Sequence, residues 1–172
     1  MTGIPPLVCV MGVSAAGKST VGRTLADALG VPFADADDLH SDANRAKMAA
    51  GTPLTDDDRW PWLDAVGEHL QAARDTGLVI ACSALRRAYR DRIRSIAPAV
   101  VFVHLDGTRE LLAARIAART DHFMPSTLLE SQLATLEPLE PDEAGLVMDV
   151  GMPVVDLVGR VAARLREGQS LR

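Results

Sequence analysis

The residues of this chain best suited to chemistry lie in one stretch, Gly12-Val13-Ser14-Ala15-Ala16-Gly17-Lys18-Ser19, followed by Thr20. It matches G-x-x-x-x-G-K-[ST], preceded by the apolar run Leu7-Val8-Cys9-Val10-Met11 and followed by Val21, Leu25 and Leu29 at helical spacing. Glycine at positions 12 and 17 allows the backbone to curl until successive N–H groups point at an anionic phosphate. A helix opening near Gly17 adds its unpaired N–H groups and the positive end of its dipole. Lys18 suits the β- and γ-phosphates as a point charge, and the Ser19 hydroxyl suits a magnesium ion travelling with them. All four fixed positions are met between a strand and a helix. The chain is therefore expected to bind a nucleoside triphosphate, with magnesium, through Gly12 to Thr20.

Two further groups of residues bear on the chemistry. Asp35, Asp37 and Asp38 follow the apolar stretch Val31–Ala34. One carboxylate would serve magnesium and another would accept a hydrogen bond from an attacking hydroxyl, since phosphoryl transfer needs orientation more than strong base chemistry. We assign Asp37 to the hydroxyl and Asp35, with Ser19, to the metal, and the reverse division stays open. Arginines are plentiful. Arg86, Arg87, Arg90, Arg92 and Arg94 crowd one segment that reads mostly as a solvated helix face. Arg59 stands alone after Asp56-Asp57-Asp58, where it would pair weakly with them or grip an anionic group with its planar fork. Arg115 and Arg119, four apart on an expected helix, would close over the triphosphate. His40 and His122 have no Cys or His at ligand spacing, so a metal site there is not expected.

The elements that must position these groups alternate along the chain. Apolar runs near Leu7–Met11, Val31–Ala34, Leu78–Cys82, Val100–Leu105 and Leu146–Asp149 read as strands, separated by helical patterns. Gly30 should cap the first helix in the left-handed conformation, and Pro61 is tolerable only in the first turn of its helix. Asp121–Pro125 reads as a loop and Ser126–Leu136 as a helix. This alternation predicts an α/β fold with a parallel sheet covered on both faces, and ligands gathered beyond the strands' carboxyl ends. Gly12, the Asp35–Asp38 cluster and Ser83 all fall there.

At 172 residues, 48% hydrophobic and 3% aromatic, the chain is long enough for one well-formed domain, 1–172. A net charge of −5 and the lack of a basic aromatic stripe argue against nucleic acid as a main partner. Cys9 and Cys82 sit inside apolar runs and read as buried thiols. The first strand begins within a few residues, leaving no room for a signal peptide, and no apolar run approaches a membrane span. A cytoplasmic protein without membrane contact is expected.

Several segments together carry a more specific likeness: the Gly12–Thr20 loop, Asp35-Ala-Asp-Asp-Leu-His40, Asn44-Arg-Ala-Lys-Met48, Gly51-Thr-Pro-Leu-Thr-Asp-Asp-Asp-Arg-Trp-Pro-Trp-Leu63, Cys82-Ser-Ala-Leu-Arg-Arg-Ala-Tyr-Arg-Asp91 and His122-Phe-Met. In this order they resemble the gluconokinase family, from the phosphate loop to about Glu137. The resemblance implies ATP- and magnesium-dependent phosphorylation of D-gluconate at its 6-hydroxyl. It also implies a nucleoside-monophosphate-kinase or shikimate-kinase architecture with a five-stranded sheet, and often a homodimer. The implied lid covers roughly 111–137 and contributes Arg115 and Arg119, around a core of roughly 5–110 and 144–172. The sugar acid is implied among Asp37, His40, Arg59, Ser83 and Arg90. Ala36 stands where family members often have Gly, and Ala15-Ala16 where they often have Gly-Ser; each limits a positive φ without removing a ligand. The rival readings are another small kinase, shikimate kinase first, or a non-enzymatic NTP switch. Ser83-Ala84-Leu85 lacks the glycines usual in shikimate kinase, and Asp142-Glu-Ala-Gly145 matches a short switch pattern but precedes the last expected strand.

Overall fold

The computed structural model describes residues 3–119 and 126–168; the expected Asp121–Pro125 loop with His122 lies outside them. Five strands form one sheet: β1 (Leu7–Met11), β2 (Phe33–Asp35), β3 (Leu78–Ala81), β4 (Val101–Asp106) and β5 (Gly145–Asp149). All pair in parallel, in the order β2-β3-β1-β4-β5. Among the described residues seven α-helices join or follow them: α1 (Lys18–Leu29), α2 (Asp42–Ala49), α3 (Asp56–Ala72), α4 (Arg87–Ile96), α5 (Arg109–Ala118), α6 (Ser126–Thr135) and α7 (Val154–Arg166).

The central strand explains the layering. Along β1, Val8 and Val10 face one apolar cluster with Leu25 of α1 and Leu157 and Val161 of α7. Leu7, Cys9 and Met11 face the other, with Leu63 and Val66 of α3 and Ile93 of α4. Period-two alternation thus buries both faces, which is why the strand reads as an unbroken apolar run. Cys9 and Cys82 are free thiols within the second cluster. From β1 the sheet continues through β3 on one side and β4 on the other, a switch point that opens a crevice beyond the carboxyl ends. The Gly12–Ser19 loop begins in that crevice.

Gly30 takes φ 68° and its N–H returns to Ala26 and Asp27, ending α1 as anticipated. Other boundaries moved. β2 starts at Phe33, and Ala36–Leu39 folds into a 3₁₀ turn. Pro61 lies in the second turn of α3, because Thr55 caps the helix six residues earlier. Arg119 is not on the face of α5 with Arg115: the helix stops at Ala118 and Arg119 is extended. The arginines of α4 are not a free solvated face. Arg87 meets Asp142 at 2.7 Å and Glu140, Arg92 meets Asp64 at 2.5 Å, and Arg94 meets Asp91 at 2.6 Å. Asp142 and Glu143 are therefore taken up in ion pairs. Among the described residues no helix is long and apolar enough to cross a membrane.

Candidate active site

The loop between β1 and α1 is shaped from beneath. Gly12 takes φ 148°, and a Cβ there would lie 2.9 Å from the Leu105 carbonyl oxygen, so only glycine lets the loop leave β1 so close to β4. Its N–H donates to the Ser83 carbonyl at 3.3 Å. Gly12 and Val13 are thus buried supports of the loop, and neither lines the cavity above it. Val13 offers its carbonyl to the Ala16 N–H and to the Lys18 ammonium, each close to 3 Å. Ala15 turns the chain at φ 68°, which L-residues adopt at a cost of about 1–2 kcal/mol. The alanine therefore takes up a positive φ despite its Cβ.

Gly17, at φ 90°, opens α1 with no side-chain cap. Among the described residues the N–H groups of Gly17, Lys18, Ser19 and Thr20 find no partner. A twelve-residue helix beginning this way presents unpaired donors and a positive dipole end to a cavity of about 300 Å³. Ser14, Lys18, Asp37, Ser83 and Arg119 line this cavity.

The carboxylates arrive on the 3₁₀ turn after β2. Asp35 accepts the Asp37 N–H at 3.0 Å with one oxygen and the Ser19 hydroxyl at 3.4 Å with the other. Burial, and then the Asp35 charge, pushes the Asp37 carboxyl above the ordinary aspartate value. Burial also lowers Lys18 below the ordinary lysine value, opposed by Cys82, Asp37 and Asp35. Ser19 and Asp35 supply hard oxygen donors side by side, as magnesium prefers. No three His, Cys, Asp or Glu side chains converge among the described residues. A cation here would complete its shell with phosphate and water oxygens.

α3 holds this turn from behind. The Trp62 indole N–H donates to the Ala36 carbonyl at 2.7 Å, and its ring stacks on His40 with centroids 4.3 Å apart. Trp60 sets its edge against Tyr89. Thus the paired tryptophans pin the acidic turn and the α3–α4 contact. The Asn44 amide, fixed by a 2.9 Å bond to the Asp58 carbonyl, lies 3.3 Å from His40 Nδ1. That nitrogen accepts, so the proton of neutral His40 sits on Nε2. Burial keeps the imidazole below its ordinary value, against the pull of Asp37.

Three expected substrate residues fall outside the cavity lining: His40, stacked on Trp62 behind the acidic turn, Arg59 and Arg90. Arg59 lies outside the cavity lining, 3.6 Å from Asp56 and within reach of the Tyr89 hydroxyl at 3.4 Å. Arg90 is fully buried and does not face the cavity. Glu143 takes its Nε and Nη2 at 2.7 and 2.9 Å, and the Ala84 carbonyl takes Nη1 at 3.0 Å. Burial alone would raise the Glu143 carboxyl, yet hydrogen bonds from Arg90 and Arg94 outweigh it and hold it at about 2. Arg90 therefore braces from behind the turn that presents Ser83, in which Ala84 has φ 44°.

A second cavity of about 300 Å³ lies on the other side of the loop, lined by Ala16, Arg115, Val150, Met152 and Leu157. Arg115 donates to the Val150 carbonyl at 2.6 Å and approaches the Ala16 carbonyl at 3.4 Å. Ala15, Gly17, Thr20 and Arg119 border both cavities. Gln132 of α6, which nothing in the sequence marked, also lines the first.

Comparison with known proteins agrees with this geometry. A family profile described as an AAA domain matches residues 7–139. The gluconokinase of Gluconobacter oxydans is 48% identical over 143 residues, covering 81% of this chain and 79% of that protein. A gluconokinase from Sinorhizobium meliloti superposes with a TM-score of 0.84 at 44% identity, covering 98% and 99% of the two chains. A sugar kinase from Janibacter sp. gives 0.87 at 47% identity, covering 97% and 98%. A shikimate kinase from Acinetobacter baumannii reaches 0.60 at 18% identity, covering 96% and 95%, a likeness of fold alone. With identity this high across most of its length, the chain belongs to the gluconokinase family.

Proposed function

We propose that this protein transfers the γ-phosphoryl group of ATP to the 6-hydroxyl of D-gluconate, giving 6-phospho-D-gluconate and ADP. One observation carries the reading: a single phosphate loop separates two cavities of opposite character. The cavity under Arg115 has the apolar walls a nucleoside base requires. The other sets Asp37 among Lys18, Ser83 and Arg119, as an acceptor alcohol and a transferring anion require. The uncapped start of α1 supplies N–H donors for the phosphates between them.

In this reading Asp37 accepts a hydrogen bond from the 6-hydroxyl and takes its proton as that oxygen bonds to phosphorus. The bond from phosphorus to the bridging oxygen breaks, and ADP leaves with the electron pair. Lys18 and Arg119 offset charge on the transferring oxygens. Magnesium, held by Ser19 and Asp35, would neutralise phosphate charge. The Nε2 proton of His40, the Ser83 hydroxyl and Arg59 serve the sugar acid, with Arg59 giving up its Asp56 contact for the carboxylate. Arg90 has no place in substrate contact.

The test is ADP release with magnesium-ATP, comparing D-gluconate, shikimate, AMP and no acceptor. Stimulation by gluconate alone is expected. Equal rates with all four would overturn the acceptor assignment, and would favour an NTP-binding switch.

A further inference from the structure

Gln132 projects from α6 into the cavity that holds Lys18, Asp37 and Ser83. Its Oε1 accepts the Ser14 N–H at 2.6 Å, joining segments 118 residues apart. A backbone N–H only donates, so this bond fixes the orientation of the carboxamide. The oxygen faces Ser14, and the two N–H donors of Nε2 are left at the other end of the planar group.

The helix carrying Gln132 is firmly docked. Leu129 is buried in the core, with Leu133 and Leu136 packed beside it. Just beyond the helix, the Glu137 N–H donates to the Leu85 carbonyl and its carboxylate accepts the Arg87 N–H, both at 2.7 Å. Arg109 pairs with Glu130 at 2.9 Å. A neutral side chain with its flip set by the phosphate loop, on an anchored helix, is a preorganised donor.

We propose that Gln132 is a further catalytic residue, whose Nε2 donates a hydrogen bond to an oxygen of the transferring phosphoryl group while Ser14 aims it. This rests on the phosphoryl-transfer reading above. The donor requirement is concrete. Charge spreads over three phosphoryl oxygens during transfer, and removing one preorganised donor from such a site lowers kcat by about 10²–10³. Lys18 and Arg119 supply cationic donors; Gln132 adds a neutral one that leaves Asp37 basic.

The test is Gln132→Met, which keeps length and bulk but has no donor, assayed with wild type for kcat, gluconate KM and ADP affinity. The expected result is a fall in kcat of about 100-fold, with KM and ADP affinity within about threefold, because ADP lacks the transferred group. Should the methionine variant not fold, Gln132→Glu retains an oxygen for Ser14, lacks the donors and is expected to lose at least as much. A kcat within threefold of wild type would overturn the proposal. So would parallel losses of kcat, ADP affinity and thermal stability, which mark a structural role. If wild type ignores gluconate, the acceptor assignment fails by itself. The Gln132 comparison is then made on basal ATP hydrolysis, where water replaces the alcohol and the same donor is required.

Discussion

Two neighbouring regions of this molecule treat polar groups in opposite ways. Around α3 and α4 most are answered from within the protein, the buried Arg94 Nη1 being an exception. Thr55 and Asp58 form a reciprocal capping box, Asp58 also holds Lys47 at 2.8 Å, and its carboxyl is lowered to about 2. On α4, Arg90 and Arg94 share Glu143. At the start of α1 the helix has no cap, four N–H groups lack described partners, and Ala15 sits at a costly φ. The first region is finished on folding. The second is left for a ligand to complete, so its defects belong to function.

The largest effect should come from breaking the finished region. Glu143→Gln leaves Arg90 buried beside a neutral amide, and we expect a loss of about 3–5 kcal/mol in urea unfolding. The pH dependence gives a second reading. Glu143 has a folded value near 2 against an ordinary 4.5, so its contribution is full above about 4.5 and is lost as pH falls towards 2. Wild-type stability should drop through that window more steeply than the variant's. Matching slopes would take Glu143 out of the acid response.

Next comes the open region. Lys18→Ala removes the cation nearest the loop, and kcat should fall by two to three powers of ten, about 3–4 kcal/mol, with the unfolding midpoint little changed. The contrast is the point: the finished region loses stability and the open one loses turnover. A stable variant with near-normal turnover would remove Lys18 from the mechanism.

How much of this was legible in the sequence follows the same division. The phosphate loop, the parallel α/β layering and the Asp35–Asp38 turn were readable because local geometry dictates them: a motif of fixed spacing, apolar runs and a strand end. Arg90 was not, because its role depends on Glu143, 53 residues away. One-dimensional spacing cannot distinguish an arginine that faces a ligand from one that faces a buried carboxylate. Gln132 went unseen for the same reason; its partner is 118 residues away and nothing in α6 sets it apart. Arg119 borders both cavities, but not from the helical position expected for it, since α5 ends one residue sooner. Pro61 shows a local rule overridden: tertiary anchoring through Trp62 and the strong Thr55 cap hold a helix that proline would weaken.

A smaller effect is expected at the α3 cap. Thr55→Ala deletes the oxygen that accepts the Asp58 N–H and should cost about 1 kcal/mol, lowering Tm by about 2–4 °C for a chain of this size. Turnover with saturating substrates should stay near wild type. A loss of turnover larger than the loss of stability would mean that α3 is coupled to the site more tightly than a finished element should be.

The smallest change is the most discriminating, because its sign is at stake. An alanine-to-glycine substitution inside a helix costs roughly 0.5–1 kcal/mol from unfolded-chain entropy, and deleting a buried methyl adds about 0.8 kcal/mol. Ala26, buried within α1, should show this full loss when changed to glycine. Ala15 is buried too, but there glycine relieves about 1–2 kcal/mol of left-handed strain. The opposing effects nearly cancel, so Ala15→Gly should change the unfolding free energy measured in urea by no more than about 0.8 kcal/mol in either direction, at an unchanged slope. If Ala15→Gly lost as much as Ala26→Gly, the loop would hold no strain. The open region would then differ from the finished one only in its uncapped helix.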